Sequence, residues 1–346
     1  MKKFAILFLC LFLTASSPWQ AASPSSPAVV TVLPPAQTAT PVPAYTSTPI
    51  PATEIIPPTI TPTPAPKIER VIILSFDGMR TDAIAAAPMN NLLELMNSSA
   101  YNLTTAITIA YPSTLPSHAA MLSGLCTAKN GIFYNRYYKY MGYSQGVDIF
   151  DLAHAAGMRT VMIVGKDKLR ELAEPETTDV FEIRQDEATV GAAAVEQIAQ
   201  GFGLMFVHFP SADQVGHKYD WMGGSYLLML RNGDEALGKI VAALDESGLR
   251  ESTMIIVTAD HGGHDSNHDG TKIEDFRIPW IVSGPEIVPG EITARIHTMD
   301  TAATVAYGLG FPQQDDWDGI PVYEAFGLPR LEIHPESVQW PCHEWN

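Results

Sequence analysis

Five short apolar runs rich in β-branched residues, each halted by Gly, Pro or Asp, constrain the fold more than any other feature of the chain. Val71-Ile72-Ile73-Leu74-Ser75-Phe76 ends at Asp77-Gly78, residues 159–164 stop at Gly165, and residues 204–209 stop at Pro210. Residues 254–257 lead into Asp260, and residues 278–282 end at Ser283-Gly284-Pro285. Runs without alternation suit strands buried on both faces of a parallel sheet. Helix-like stretches over 87–98, 147–156, 188–200, 226–247 and 298–309 lie between them. The alternation predicts an α/β domain with a three-layer, doubly wound, mainly parallel sheet and helices on both faces. Ligands gather at the carboxyl ends of such strands. Asp77, Asp213 and Asp260 each follow a strand, so three carboxylates are expected on one rim.

The rest of the chain is organised around this domain. Lys2-Lys3, the short apolar run from Phe4 to Leu13 and the small residues after it read as a signal peptide over 1–22, and the run is about half of the roughly 20 apolar residues a membrane span needs. Residues 23–66 are mostly Pro, Thr, Ser and Ala, which predicts a disordered, semi-rigid linker able to tether the protein to the cell envelope. The domain itself is expected over 67–333, with a tail over 334–346. The protein is therefore expected to be secreted or held at the cell surface. A net charge of −17 argues against a nucleic-acid polymer as partner, because that binding neutralises phosphates with Lys and Arg. A small phosphorylated substrate is compatible, since a metal's local charge outweighs the global field. Of three cysteines, Cys126 and Cys342 outlast the signal peptide, either as one disulfide or as separate thiols.

Metal chemistry is the hypothesis raised by Asp260-His261-Gly262-Gly263-His264-Asp265-Ser266-Asn267-His268: a carboxylate beside an imidazole on the loop after a buried strand, with more imidazoles downstream. His264 and His268 compete for a second ligand role. Asp213 and His217, four apart, would share one face if their loop turns into a helix; otherwise they are a helix cap and a surface histidine. Asp77 alone reads as a ligand or as part of an Asp-Gly turn. Thr114 is placed to cap a helix with Pro116 in its first turn, or to serve as a nucleophile at that helix's positive end. The other six histidines, His118 and His208 among them, read as satisfied polar or surface residues.

Together these pieces resemble the alkaline-phosphatase superfamily, closest to its type I phosphodiesterase/nucleotide pyrophosphatase branch, over about residues 69–310. The resemblance is carried by Ile73 to Gly78, Thr114-Leu115-Pro116-Ser117-His118, Gly131-Ile132-Phe133-Tyr134-Asn135, Asp213 to His217 and Thr258 to Gly263. It implies an alkaline-phosphatase-like fold with a small cap and two zinc ions, other divalent metals being possible. One ion would be held by Asp77, Thr114, Asp260 and His261, the other by Asp213, His217 and His268, which fits better than His264 ahead of the strand ending in Gly284-Pro285. Asn135 matches the asparagine that holds a phosphoryl oxygen. The segment before Thr114 is one residue shorter than usual, which leaves Ser113 as a rival nucleophile, and Asn130 replaces a frequent histidine.

The resemblance implies a hydrolase of phosphodiester or pyrophosphate bonds in nucleotides or similar small phosphodiesters, working through a phosphothreonine on Thr114. Three Asp against two divalent ions leave a positive site for a phosphate ester. Gly165-Lys166-Asp167-Lys168-Leu169-Arg170 resembles the lysine-bearing segment of phosphonoacetate hydrolases, in which Lys166 and Lys168 would bind substrate; its plainer reading is a solvated strand-to-helix turn. A phosphomonoesterase or phosphonoacetate-hydrolase-like enzyme is the alternative on the same metals, and an inactive tethered binding protein the more distant one.

Overall fold

The computed structural model describes residues 68–330. The signal peptide expected over 1–22, the linker over 23–66 and the tail over 334–346 lie outside the described residues. Cys126 is disulfide-bonded, and both other cysteines also lie outside them.

Among the described residues ten strands form: β1 (Arg70–Phe76), β2 (Ser99–Asn102), β3 (Ala106–Ile107), β4 (Thr160–Val164), β5 (Val180–Ile183), β6 (Leu204–Phe209), β7 (Thr253–Thr258), β8 (Trp280–Ser283), β9 (Gly290–Glu291) and β10 (Ile296–His297). Eight make one sheet in the order β5-β4-β6-β1-β7-β8-β2-β9, and β10 pairs with β3 in a second. From β5 to β7 every pairing is parallel, whereas β8 runs antiparallel to both β7 and β2. The five expected strands are all present, but the run over 278–282, expected to be parallel, is the antiparallel one. Strand direction depends on how the connection returns, and an apolar run does not record that.

The ten α-helices among the described residues are α1 (Ala83–Ala86), α2 (Asn90–Met96), α3 (Thr114–Ser123), α4 (Thr127–Asn130), α5 (Ile149–Ala155), α6 (Glu187–Gln200), α7 (Ser211–Tyr219), α8 (Gly224–Glu246), α9 (Ile273–Phe276) and α10 (Asp300–Gly308). Helices α2, α6 and α8 pack as one group, and α3, α5 and α10 as another. Strand β1 shows how the sheet separates them. Phe76 lies against Gly233 of α8, while the preceding side chain, Ser75, hydrogen-bonds His118 of α3. Adjacent residues of a strand point to opposite faces, so the two helix groups cover the two sides. Residues 71–76 are all essentially buried, as a strand covered on both faces must be.

The three central strands matter most for the site. Phe76 is level with Phe209 of β6 and Ser75 with Thr258 of β7, so these strands end side by side. The segments that follow them, carrying Asp77, Asp213 and Asp260, are therefore brought to one rim.

Candidate metal centre

Asp77 is fully buried one residue beyond β1. Gly78 follows with φ 72°, and a Cβ there would sit 3.2 Å from Cα of Asp213. Only glycine takes this backbone turn without strain, and the turn aims the Gly78 N–H at Asp260 Oδ1, 3.0 Å away. The N–H of His261 donates to the same oxygen. Asp213 lies in the first turn of α7, and His217, one turn later, brings Nε2 within 3.4 Å of Asp213 Oδ1. The sequence left open whether this segment was helical; it is, and the two side chains share a face.

The histidines reveal what the rim can bind. Nδ1 of His261 lies 2.8 Å from the Gly262 carbonyl, Nδ1 of His268 2.7 Å from that of Pro112, and Nδ1 of His217 3.0 Å from that of Ser266. A carbonyl only accepts, so each Nδ1 carries a proton, and in the neutral form of such a ring Nε2 is the lone pair available to a metal. Nε2 of His268 and of His217 stand 3.0 Å apart and both face Asp213 Oδ1, at 3.6 and 3.4 Å. Two imidazole nitrogens and a carboxylate oxygen converging at these distances can share a proton or, as three ligands, a cation. Nε2 of His261 is 3.3 Å from Asp260 Oδ2, 3.6 Å from Asp77 Oδ1 and 3.9 Å from Asp213 Oδ1. These same atoms, Asp77 Oδ1, Asp213 Oδ1, Asp260 Oδ2 and His261 Nε2, are buried without a hydrogen-bond partner. Buried polar atoms are rarely left so, and four acceptors turned on one another fit divalent cations. Asp77, Asp260 and His261 form one group with metal-ligand spacing, and Asp213, His261 and His268 another. His264 points elsewhere, with Nδ1 2.6 Å from Asp275.

The ionisation pattern agrees. Burial, reinforced by the charge of Asp77, pushes the Asp260 carboxyl well above its usual range. Burial also opposes the charge of Asp77, but the Lys166 ammonium and the His208 hydrogen bond outweigh it and hold Asp77 well below. Burial, with the neighbouring His261, lowers His268 to about 4, so its ring is neutral and free to ligate at ordinary pH.

Thr114 is not the cap of α3, contrary to the sequence reading. Ser113, in extended conformation, occupies that position, and Thr114 is the first helical residue. Its hydroxyl is the one Lys166 Nζ reaches, at 3.3 Å. The reading of residues 165–170 as a solvated turn is also overturned. Lys166 Nζ lies 2.6 Å from Asp77 Oδ2 and 2.5 Å from Asp213 Oδ2, and although burial opposes its charge, these carboxylates raise its pKa. Lys168 Nζ lies 3.0 Å from Asn135 Oδ1. That oxygen also accepts the N–H of Leu115 in the first turn of α3. With two donors on Oδ1, the Asn135 amide is oriented and its NH2 is the end left to donate.

Two supports escaped the sequence reading. His208 Nδ1 accepts the N–H of Gly165, which leaves its Nε2–H for Asp77 Oδ2 at 2.8 Å. His118 bridges Ser75 Oγ and the Thr114 carbonyl. A histidine inside the otherwise apolar run Leu204–Phe209 was the available signal, because a buried polar group must find a partner.

The sequence profile of type I phosphodiesterase/nucleotide pyrophosphatase matches residues 71–279. The chain is 24% identical over 237 residues to bis(5'-adenosyl)-triphosphatase enpp4 of Xenopus laevis, covering 61% of this chain and 50% of that protein. It is 33% identical over 179 residues to a phosphopentomutase of Methylobacterium radiotolerans, covering 50% of this chain and 40% of that protein. The solved structure of murine ectonucleotide pyrophosphatase/phosphodiesterase 5 superposes with a TM-score of 0.61 at 12% identity, over 75% of this chain and 99% of that one. The likeness extends to the fold. The chain spans half or less of the length of these curated relatives.

Proposed function

Because the chain belongs to the type I phosphodiesterase/nucleotide pyrophosphatase family of the alkaline-phosphatase superfamily, we propose that it is a two-zinc hydrolase of phosphodiester or pyrophosphate bonds with Thr114 as nucleophile. The observation that carries this reading is the ring of buried acceptors without donors beside the Thr114 hydroxyl. Asp77, Thr114, Asp260 and His261 would hold one ion, and Asp213, His217 and His268 the other. When bound, the ions supply positive charge that eases deprotonation of the nucleophile and neutralises phosphoryl oxygens.

The chain's own groups do the rest. Thr114 Oγ1, its proton lost to solvent, attacks phosphorus as the P–O bond to the leaving alkoxide or phosphate breaks, and the departing group takes up a proton from water; a second water then attacks the phosphothreonine, breaking its P–O bond and returning a proton to Thr114. In the first turn of α3 the Leu115 N–H is held by Asn135 Oδ1, Pro116 has none and the Ser117 N–H goes to the Ser113 carbonyl, so the Thr114 N–H is the one that would face a phosphoryl oxygen. The Asn135 NH2 donates to one of them where charge builds up. Lys166, held by Oδ2 of Asp77 and of Asp213, stays within reach of Thr114 and of substrate. A relative named as a bis(5'-adenosyl)-triphosphatase supports a nucleotide substrate. Lys166 and Lys168, both turned to the nucleophile's surroundings, favour a second reading on the same metals, a monoester or a phosphonate with an extra anionic group. The same proposal has the protein exported, with residues 23–66 as its tether.

The test is metal content together with hydrolysis of a phosphodiester, a phosphomonoester and phosphonoacetate. The expected result is two zinc ions per chain and fastest turnover of the diester. Thr114→Ala should retain zinc while losing roughly 10³-fold or more in kcat. A zinc-free, inactive wild type would sink the enzyme reading, and a monoester or phosphonate preferred by orders of magnitude would replace the diesterase assignment alone.

A further inference from the structure

Asn135 lies in a stretch, residues 131–148, that contains neither helix nor strand. Its position must therefore come from contacts made to other elements, and several of those made to its stretch come from one 3-10 turn, Asp167–Leu172. At three residues per turn, side chains three apart eclipse, so Lys168 and Glu171 leave this turn on the same side. Lys168 Nζ holds Asn135 Oδ1. Glu171, 1% exposed, accepts the backbone N–H of Tyr138 through Oε1, while its Oε2 is buried without a hydrogen-bond partner and its charge bears on the nearby Tyr134 hydroxyl. Its own carbonyl takes the N–H of Ser144 at 3.0 Å. The Tyr134 and Tyr138 rings, gripped on either side of Asn135, pack edge to face with centroids 5.4 Å apart.

We infer that Glu171 is a positioning residue for the reaction, fixing the Asn135 amide by clamping residues 134–144 onto the turn that carries Lys166 and Lys168. The inference rests on the role of Asn135 proposed above. Glu171 touches no reacting atom; it acts on the hydrogen bond that Asn135 gives to the phosphoryl oxygen. That geometry is demanding, because a donor displaced by about 1 Å loses much of its effect on the transition state. A buried carboxylate is an expensive way merely to fill space, and the partners of this one flank the phosphoryl donor directly.

A double-mutant cycle tests it. Glu171→Leu is made with Asn135 intact and in an Asn135→Ala background, and kcat/KM on an aryl phosphodiester, zinc content and the Kd for inorganic phosphate are measured. Glu171→Leu should lower kcat/KM roughly tenfold with Asn135 present and less than about twofold without it, at unchanged zinc content. Glu171→Gln, which keeps an acceptor for Tyr138, should stay within about threefold of wild type. Equal losses in the two backgrounds, or no loss at all, overturn the assignment. Should the leucine variant not fold, Tyr134→Phe runs the same cycle, a loss confined to the Asn135 background upholding the clamp and equal losses overturning it. If the wild type hydrolyses no ester, the enzyme reading fails by itself and the cycle is read from phosphate affinity, with the same two outcomes.

Discussion

The two oxygens of Asp77 have separate tasks. Oδ2 is held by His208 and Lys166, which leaves Oδ1 turned to His261 without a donor. Holding a carboxylate by one oxygen fixes the direction of the other, and metal ligands are tuned by such partners. Asp300 shows the opposite use of a buried carboxylate. Its oxygens accept the N–H groups of His297 and Ile320, yet burial dominates and lifts its pKa to about 7. A carboxyl whose pKa is raised on folding contributes stability that is complete below the unfolded value of about 4 and is lost as pH rises through about 7. Urea denaturation of the zinc-loaded protein should therefore show a component of stability that declines from pH 5 to pH 8. Asp300→Asn should flatten that slope and lower stability at pH 5 by about 1 kcal/mol, since one amide loses its acceptor. A slope unchanged by the substitution would show that other groups set it.

At the level of elements, helix α7 brings Asp213 and His217 to one point and the loop after β7 brings His268 to meet them. Removing His217 should leave Asp77, Asp260 and His261 intact. His217→Ala is expected to lower zinc from two ions per chain towards one, as metal analysis after dialysis would show; retention of two would mean that His217 is not a ligand. Much of this was legible in the sequence, because an apolar run stopped by Asp records both a buried strand and the polar group at its end. The short strands β2, β5 and β9 were not legible: β5 lies at one edge of the sheet and is only half-buried, so its four residues lack the pattern of a core strand. Lys166 was misread for a related reason. Beside Gly165 it looks like a solvated turn residue, and only the placement of β4 against β6, a long-range event, brings it to Asp213. Asn135 was found through family resemblance alone, since nothing in its own stretch distinguishes it from any loop asparagine.

Across the whole molecule, a net charge of −17 surrounds a site whose ions and lysines would make it positive. The two fields predict opposite responses to salt. If the protein-wide charge governed encounter, added salt would screen repulsion and raise kcat/KM for an anionic ester; if the site governs it, salt screens attraction and lowers it. The local field should prevail, so kcat/KM is expected to fall between low and physiological ionic strength, by about threefold or more for a dianion. The order β6-β1-β7 at the centre of the sheet also has a consequence in time. Neighbours in space, these strands are far apart along the chain, and His268 comes later still. Contacts of such long range form late and slowly, so a nascent or half-folded chain would offer a divalent cation only scattered ligands. A bound metal would then be a latch closed on a finished fold, one that slows unfolding without hastening the chain on its way in.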